Sequence, residues 1–271
     1  SIVDRGAECR RRQKERAAEQ TEVNEADGNR QQQHVEGHQT PAVPRKRSGT
    51  ADHPGTAAAE NDGSIRAIII QGSADCFTSG NDVSDFIKNE RTGTDSPVYR
   101  FLKAVCHASK PLIAAVNGPA VGIGTTMLLH CDLIYVAQNA RLKMPFVNLG
   151  LCPEAGSSFL LPRLLGHPRA AELLLLGEEI SGTRACDIGL ANQALPAGQA
   201  VLDAARAAAL RIAELPPSSV QLTKRLIRNG VSRTADEVME TEGEHFAQLL
   251  SGAEAKEALT AFMEKRKPVF N

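Results

Sequence analysis

The sequence predicts an α/β fold in which helices cover the sheets. Short apolar runs rich in branched residues, such as Ala67 to Ile70 and Leu112 to Val116, are followed by turn-forming residues and then by stretches with helical spacing. From Ala200 the chain has a helical pattern nearly to its end. Alternation of strand, turn and helix is typical of α/β proteins, because each sheet needs helices to bury its apolar faces.

The first sixty residues differ in composition from the rest of the chain. They contain no Leu, Phe, Tyr, Trp or Met and are rich in Arg, Gln, Glu, His and Thr. Such a segment cannot bury enough apolar surface to offset the entropy of ordering it, so we expect residues 1–60 to be disordered and order to begin near Asp62. A GC-rich gene translated out of frame has the same composition, and both interpretations stay open. We divide the remainder into a core, 61–198, and a helical C-terminal region, 199–271.

Charge, cysteine usage and hydropathy argue against several classes of protein. The formal net charge is -1, which indicates no general attraction to nucleic acid or to an anionic membrane. Six cysteines are scattered without a C-x-x-C pair or a metal-like spacing, which favours reduced thiols in the cytoplasm and no bound metal. The sequence has no run of about 18 apolar residues, so we expect no membrane span.

The first strand leads into a turn that contains glycine. After Ala67 to Ile70 come Ser79, Gly80 and Asn81, which form the turn, and Asp82 is placed to cap the helix that follows. Beyond a polar stretch, a second helix carries the apolar residues Val98, Leu102 and Val105. The chain thus reaches its second strand after one complete alternation of strand, turn and helix.

A second glycine turn follows the strand at Leu112 to Val116. Asn117 to Pro119 form this turn, and Gly122 and Gly124 precede an apolar stretch that suits a buried helix. This order directs free backbone N–H groups to one point, which suits an anion. Nucleotide phosphate is disfavoured, because no Lys-Ser or Lys-Thr pair follows and G-x-G falls short of the dinucleotide fingerprint. Tight packing and an oxyanion site both stay open at this stage.

The later elements follow from the same signals. Two strands are predicted at Leu133 to Ala137 and Arg141 to Met144, and glycine-closed helices at Ser157 to Leu165, Arg169 to Gly177 and Gly182 to Gly189. Near the C-terminus one helical face consists of Ala255, Ala258, Leu259, Phe262 and Met263. That face can pack within the chain or against a neighbouring subunit.

Several motifs, in this order, resemble the crotonase, or enoyl-CoA hydratase/isomerase, superfamily. They are the S-G-N-D turn, the N-G-P-A-V-G block with a C-D pair beyond it, and the closing F-M-E-K-R-K-P-V-F. The resemblance covers about residues 62–270. It implies a spiral of β-β-α turns and a C-terminal helical region that forms homotrimers, often paired into hexamers. It also implies an acyl-CoA substrate, with coenzyme A as part of the substrate and no permanently bound cofactor.

In this family two backbone N–H groups hold the thioester oxygen as it becomes an enolate oxyanion. The resemblance assigns these groups to Asn81 in the first glycine turn and to Ile123 between Gly122 and Gly124. A C2 proton beside a thioester is only weakly acidic, and two fixed donors aimed at the oxygen lower the barrier to its removal by several kcal/mol.

The acid/base residue distinguishes the branches of the family. Hydratases carry two glutamates, and the matching positions here are Thr126 and Phe146, neither of which ionises at neutral pH. The P-E-A-G segment instead resembles the Δ3,Δ2-enoyl-CoA isomerase branch, whose catalytic base falls on Glu154. One carboxylate can remove a proton from C2 and return it to C4. Apolar walls at Phe146 and Leu151 would help by raising the pKa of Glu154 toward neutrality.

Glu154 also has a purely structural interpretation. It follows Pro153, and a glutamate in the first turn of a helix is stabilised by the helix dipole without any catalytic role. The family pattern favours catalysis over this interpretation. The change from P-E-G to P-E-A-G is small, and we expect it to leave the carboxylate undisturbed.

The resemblance also suggests contacts with coenzyme A near the C-terminus. It places Phe262 and Lys265 against the adenine and phosphates of a ligand bound to a neighbouring subunit, with a core aromatic and a solvated charge as the alternatives. His107, His130 and His167 match no catalytic position in the family, so we interpret them as structural.

Other functions stay open on the sequence alone. The superfamily also includes hydratases and hydrolases, and some of its members are non-catalytic acyl-CoA-binding or interaction proteins. The family's N-terminal coenzyme-binding segment has no counterpart in residues 1–60.

Overall fold

Two sheets form the centre of the structure, a computed structural model that describes residues 54–73, 75–81, 96–229 and 232–269. The strands are numbered along the chain. The first sheet is parallel throughout, with the order β1 (Ile68–Gln71), β2 (Leu112–Val116), β4 (Leu133–Ala137) and β7 (Gln193–Leu195). The second has the order β3 (Pro119–Val121), β5 (Arg141–Lys143) and β6 (Glu179–Ser181), parallel between β3 and β5 and antiparallel between β5 and β6.

Ten helices in the described ranges surround these sheets. In chain order they are α1 (Pro54–Asn61), α2 (Pro97–Cys106), α3 (Ile123–Thr126), α4 (Ser157–Leu165), α5 (His167–Ala171), α6 (Gly182–Asp187), α7 (Gln199–Ala213), α8 (Pro217–Asn229), α9 (Ser232–Ser251) and α10 (Ala253–Glu264). Two 3-10 turns, Met127–His130 and Val147–Leu149, and a π-helical turn, Glu172–Leu176, connect some of them.

Strand β2 lies at the centre of the core, because all five of its residues are buried. Ile113 pairs with Ile69 of β1 on one side and with Leu133 of β4 on the other. Strands β2 and β3, and then β4 and β5, follow each other in the chain and enter the first and the second sheet in turn. This arrangement confirms the predicted α/β class and the repeated β-β-α turn.

Order begins earlier than the sequence predicted. Helix α1 starts at Pro54, eight residues before Asp62. Its Ala59 is buried against Ile68, Val105 and Leu112. The composition argument missed this helix because it looked for large apolar side chains, whereas alanines form helices well and can pack closely. The expectations for residues 1–53, including the out-of-frame interpretation, and for the Asp82 cap lie outside the described residues.

The segment predicted as one helix from Arg169 to Gly177 is divided. Helix α5 covers His167–Ala171, and a π-helical turn covers Glu172–Leu176. Gly177 then ends the segment with a φ of 59°, as the glycine signal predicted. The helical region after Ala200 is confirmed, as helices α7 to α10, with short breaks between them.

The predicted apolar face of the last helix packs mainly within the chain. Ala255, Ala258 and Leu259 of α10 are buried, whereas Met263 is exposed. Gly150 has a φ of 69° and allows the close approach of α10, because a Cβ there would lie 2.9 Å from the Ala255 nitrogen. Packing within the chain therefore explains most of this face.

The cysteines differ from the expectation at one position. Cys106, Cys131, Cys152 and Cys186 are free thiols, but Cys76 is disulfide-bonded. The prediction of reduced thiols throughout is wrong there, because spacing along the sequence does not show which cysteines the fold brings together. Within the described ranges, no helix could cross a membrane and no cluster of acidic, histidine and cysteine side chains could hold a metal ion.

Candidate active site

The S-G-N-D turn and the G-I-G turn at Gly122 to Gly124, which follows β3, lie side by side. Thr78, just before the first turn, forms a parallel bridge with Ala120 of β3. The Thr78 N–H donates to the Pro119 carbonyl at 3.0 Å, and the Val121 N–H donates back to the Thr78 carbonyl at 3.1 Å. These backbone bonds bring the turn that contains Asn81 next to the turn that contains Ile123.

Glycine is required where these turns touch. A Cβ on Gly124 would lie 2.4 Å from the Thr78 Cγ2 atom, and a Cβ on Gly80 would lie 2.8 Å from the Val121 carbonyl oxygen. Gly80 also has a φ of 82° and Gly122 a φ of 58°, values that residues with a side chain rarely adopt. The S-G-N-D and G-I-G spacings thus have a steric cause.

The backbone N–H groups of Asn81 and Ile123 have no acceptor within the described part of the chain. Ile123 is the first residue of α3, so its N–H has no partner one helical turn earlier. Both residues are partly exposed. Chemically, two such donors on adjacent turns suit an oxygen that gains negative charge.

Glu154 lies in the loop before α4, outside the helix. Helix α4 begins at Ser157, whose N–H and hydroxyl both donate to the Glu154 main-chain carbonyl, at 3.0 and 2.6 Å. The Glu154 carboxyl points inward, where the fully buried Thr126 hydroxyl donates to Oε1 at 3.5 Å. The interpretation of Glu154 as a first-turn residue stabilised by the helix dipole is therefore wrong, because two residues, Ala155 and Gly156, separate it from the first helical residue.

Burial raises the pKa of the Glu154 carboxyl to about 7. The negative charge of Glu242 acts in the same direction, and the hydrogen bond from Thr126 partly opposes both. A stabilising helix dipole would have lowered this pKa instead. Near neutral pH the carboxyl is thus present in both its protonated and its ionised form, which a group that accepts and then returns a proton requires.

Glu242 is a site residue that the sequence analysis missed. It extends from α9, is buried, and accepts hydrogen bonds from the Gly156 N–H at 2.6 Å, the Ser158 N–H at 3.0 Å and the Ser158 hydroxyl. One signal could have identified it. Glu242 is three residues after the buried Met239 and four before the partly buried Phe246, so it occupies a core-facing position of an amphipathic helix.

The apolar residues predicted around the site are buried. Phe146 and Leu151 belong to the main core, and the Leu151 N–H donates to the Phe146 carbonyl at 2.9 Å. Ile123 packs against a separate cluster that includes Ala155 and Met239. The structure therefore brings the G-I-G turn close to the residue that follows Glu154.

The remaining predicted residues lie in other parts of the fold. Phe262, in the last turn of α10, is partly buried, and the exposed Lys265 ends that helix with a φ of 57°. His130 is buried, and its Nε2 lies 2.8 Å from the Ala155 carbonyl oxygen. His107 caps the C-terminus of α2, and His167 begins α5. The His130 ring thus contacts the backbone of the segment around Glu154.

Comparisons with known proteins find related sequences and structures. A family model described as enoyl-CoA hydratase/isomerase matches residues 56–271. The chain is 34% identical over 215 residues to the short-chain-enoyl-CoA hydratase of Clostridium acetobutylicum, covering 77% of this chain and 81% of the relative. It is 33% identical over 207 residues to enoyl-CoA delta isomerase 2 of Rattus norvegicus, covering 74% of this chain and 52% of the relative. The solved structure of OdaA from Pseudomonas aeruginosa has a TM-score of 0.76 and 53% identity, covering 78% of this chain and 85% of that one.

Proposed function

The chain belongs to the enoyl-CoA hydratase/isomerase family, the crotonase superfamily, and we propose that it isomerises 3-enoyl-CoA to trans-2-enoyl-CoA with Glu154 as the single acid/base residue. One observation carries the proposal. The Glu154 carboxyl has a pKa raised to about 7, whereas the two positions at which hydratases of the family carry glutamates hold Thr126 and Phe146. A single carboxyl group suits a proton shift within the substrate.

In the proposed reaction the ionised Glu154 removes a proton from C2 of the substrate. The electrons of that C–H bond move toward the thioester, and the C3=C4 double bond becomes part of a dienolate. The N–H groups of Asn81 and Ile123 donate to the oxygen as it gains negative charge. The protonated Glu154 then delivers the same proton to C4, which leaves the double bond between C2 and C3 and restores the carboxylate.

Hydration of 2-enoyl-CoA is the second candidate. The relative from Clostridium acetobutylicum is named a hydratase, which favours this activity. Against it, Thr126 cannot act as a general base, and the buried ring of Phe146 occupies a position where a hydratase activates water. Glu242 offers a second carboxylate, but it already accepts three hydrogen bonds from Gly156 and Ser158. Hydrolysis of the thioester is a further alternative within the family.

Turnover of a 3-enoyl-CoA tests the proposal directly. Formation of the conjugated thioester raises the ultraviolet absorbance, whereas hydration of a 2-enoyl-CoA lowers it, so one instrument separates the two candidates. We expect Glu154→Gln to reduce isomerisation roughly a thousandfold, because the base is removed and its shape is kept.

Glu244→Gln is the matched control, since Glu244 is an exposed residue of α9. The control should keep full activity. Isomerisation that survives in Glu154→Gln would refute this mechanism, and rapid hydration by the unmodified chain with no isomerisation would favour the hydratase.

We further propose that the enzyme works as a homotrimer or hexamer. In this arrangement Phe262 and Lys265 meet the coenzyme A portion of a substrate bound to a neighbouring subunit. The position of Lys265, an exposed residue at the end of α10, supports this proposal. Coenzyme A takes part only as a portion of the substrate, with no permanently bound cofactor.

A further inference from the structure

The segment that carries Glu154 has an unusual backbone. Ala155 has a φ of 60° and Gly156 a φ of 66°, so two successive residues adopt the left-handed conformation. For an alanine this conformation costs about 1 kcal/mol. A segment with such a cost keeps its shape only if neighbouring groups hold it in place.

Two side chains from distant parts of the chain hold this segment. The His130 ring bonds to the Ala155 carbonyl, and the Glu242 carboxylate accepts from the N–H groups of Gly156 and Ser158. The Ser158 hydroxyl also donates to this carboxylate. Glu242 therefore determines where the backbone after Glu154 lies, and it acts from a helix 84 to 86 residues further along the chain.

Apolar packing between α9 and this segment is incomplete. Met239 of α9 packs near Ala155 on one side. On the other side, a cavity of about 550 Å³ separates the segment from α9. Cys152 and Pro153 line it from the segment, and His245 is among the residues that line it from α9. Glu242 also lines this cavity, so its hydrogen bonds connect the two elements where their side chains do not fill the space.

The same carboxylate acts on Glu154 through its charge. The charge of Glu242 raises the pKa of Glu154, and this effect is smaller than that of burial. Thr126, which donates to Glu154, opposes it. Among the described residues, the titratable groups around Glu242 include Glu154, the Cys152 thiol, whose pKa burial raises, and His245, three residues further along α9. His130 faces the segment from the opposite side.

We propose that Glu242 is a positioning residue for the reaction, which anchors residues 156–158 from α9 and acts on Glu154 through its negative charge. This inference rests on the proposed function of Glu154. It gives the C-terminal helical region a part in the site of its own chain, beyond self-association.

Three variants separate the anchor from the charge. Glu242→Gln keeps the side-chain length and removes the charge, whereas Glu242→Asp keeps the charge and loses the reach to the amides. Glu244→Gln removes a charge from the exposed side of the same helix and serves as the control. For each variant, kcat and KM for 3-enoyl-CoA are measured between pH 5 and pH 9, together with the melting temperature.

We expect kcat to fall roughly tenfold in both Glu242 variants with little change in KM, because a loosened segment misplaces the base. In Glu242→Gln the acidic limb of the kcat/KM profile should also move down by roughly half a pH unit or more, since the neighbouring charge is gone. In Glu242→Asp that limb should stay closer to its original position. A purely structural role would lower the melting temperature and leave kcat and the limb unchanged, which would overturn the proposal.

A titration of the Glu154 carboxyl by carbon-13 NMR gives a second readout that needs no substrate, with the signal assigned from Glu154→Gln. It should show the same downward shift in Glu242→Gln, and no shift would overturn the proposal. An unmodified chain that fails to isomerise 3-enoyl-CoA refutes the proposed function, and this titration still decides the effect of the Glu242 charge. If Glu242→Gln does not fold, Ser158→Ala tests the anchor instead, because it removes the hydrogen bond from the Ser158 hydroxyl to Glu242. A kcat unchanged in Ser158→Ala would then overturn the anchor.

Discussion

The chemistry of the site depends on one carboxyl group held in an environment that disfavours its charge. Burial, with a smaller contribution from Glu242, raises the pKa of Glu154 to about 7 from its ordinary value of 4.5. A glutamate with a raised pKa binds its proton more tightly in the folded state than in the unfolded chain. Stability therefore falls as the pH rises from about 4.5 to about 7, and the full cost is present above that window.

This cost predicts that Glu154→Gln is more stable than the unmodified chain at pH 8, by at most about 3 kcal/mol. The gain should shrink as the pH falls and nearly vanish by pH 4.5, where the carboxyl is protonated in the folded state. Urea unfolding at several pH values, with Glu244→Gln as the control, measures the difference. A variant that is less stable at pH 8, or a gain that does not depend on pH, would contradict the assignment of a raised pKa.

At the scale of elements, the site depends on how closely two turns approach. The bridge between Thr78 and Ala120 sets the distance between the turns, and glycines at 80 and 124 make that distance possible. Gly124 lies within helix α3 and does not have a positive φ. An alanine there would therefore change the contact with Thr78 while keeping a suitable backbone.

We expect Gly124→Ala to reduce kcat/KM between tenfold and a hundredfold, about what a misplacement near 1 Å costs. The new Cβ would meet the Thr78 Cγ2 atom, and this contact must push the turns apart. Thr78→Ser removes that atom and keeps the hydroxyl that accepts from the Gly80 N–H. The double variant should recover part of the lost activity, and the single Thr78→Ser variant should be nearly unaffected. The absence of any recovery would show that steric separation of the turns is not the cause.

At the scale of the whole molecule, helix α8 directs charged side chains inward. Lys224 of α8 is buried and pairs with Asp132 at 2.7 Å, and Arg228 reaches the same carboxylate at 3.5 Å. Leu222 and Leu226 are exposed on the side of α8 that faces away from Lys224, and Ile227 is exposed beside Leu226. Large apolar residues that are grouped on one exposed helix face are typical of an interaction surface. We therefore expect this face to contribute to self-association.

Light scattering after size-exclusion chromatography should give the mass of a trimer or hexamer at micromolar concentration. Leu226→Glu combined with Ile227→Glu should shift the mass toward that of one chain. Two charges would then replace apolar side chains of α8 that are 63% and 73% exposed. Arg225→Glu changes the charge of a neighbouring exposed residue and should have little effect. A single-chain mass for the unmodified protein would contradict the expected assembly. An unchanged mass in the double variant would exclude this face from the interface.

The local features of this protein were determined by its sequence alone. Branched apolar runs predicted β1, β2 and β4, since each is formed by neighbouring residues whose spacing is visible in the chain. The glycines predicted both turns, and Glu154 stood out as a carboxyl in the motif of an isomerase. The helical C-terminal region was predicted as well, because its periodicity extends over many turns.

Only the tertiary structure decided what these features contact. It placed the start of α4 three residues beyond Glu154, brought Glu242 to Gly156 and Ser158, and turned the charged side of α8 inward. The hydrogen bonds of Glu242 join residues that are 84 to 86 positions apart in the chain. The contact between Lys224 and Asp132 joins residues that are 92 positions apart. Periodicity and turn chemistry report on residues within a few positions of one another. The partner of a distant side chain depends on how the completed elements pack, which no local pattern encodes.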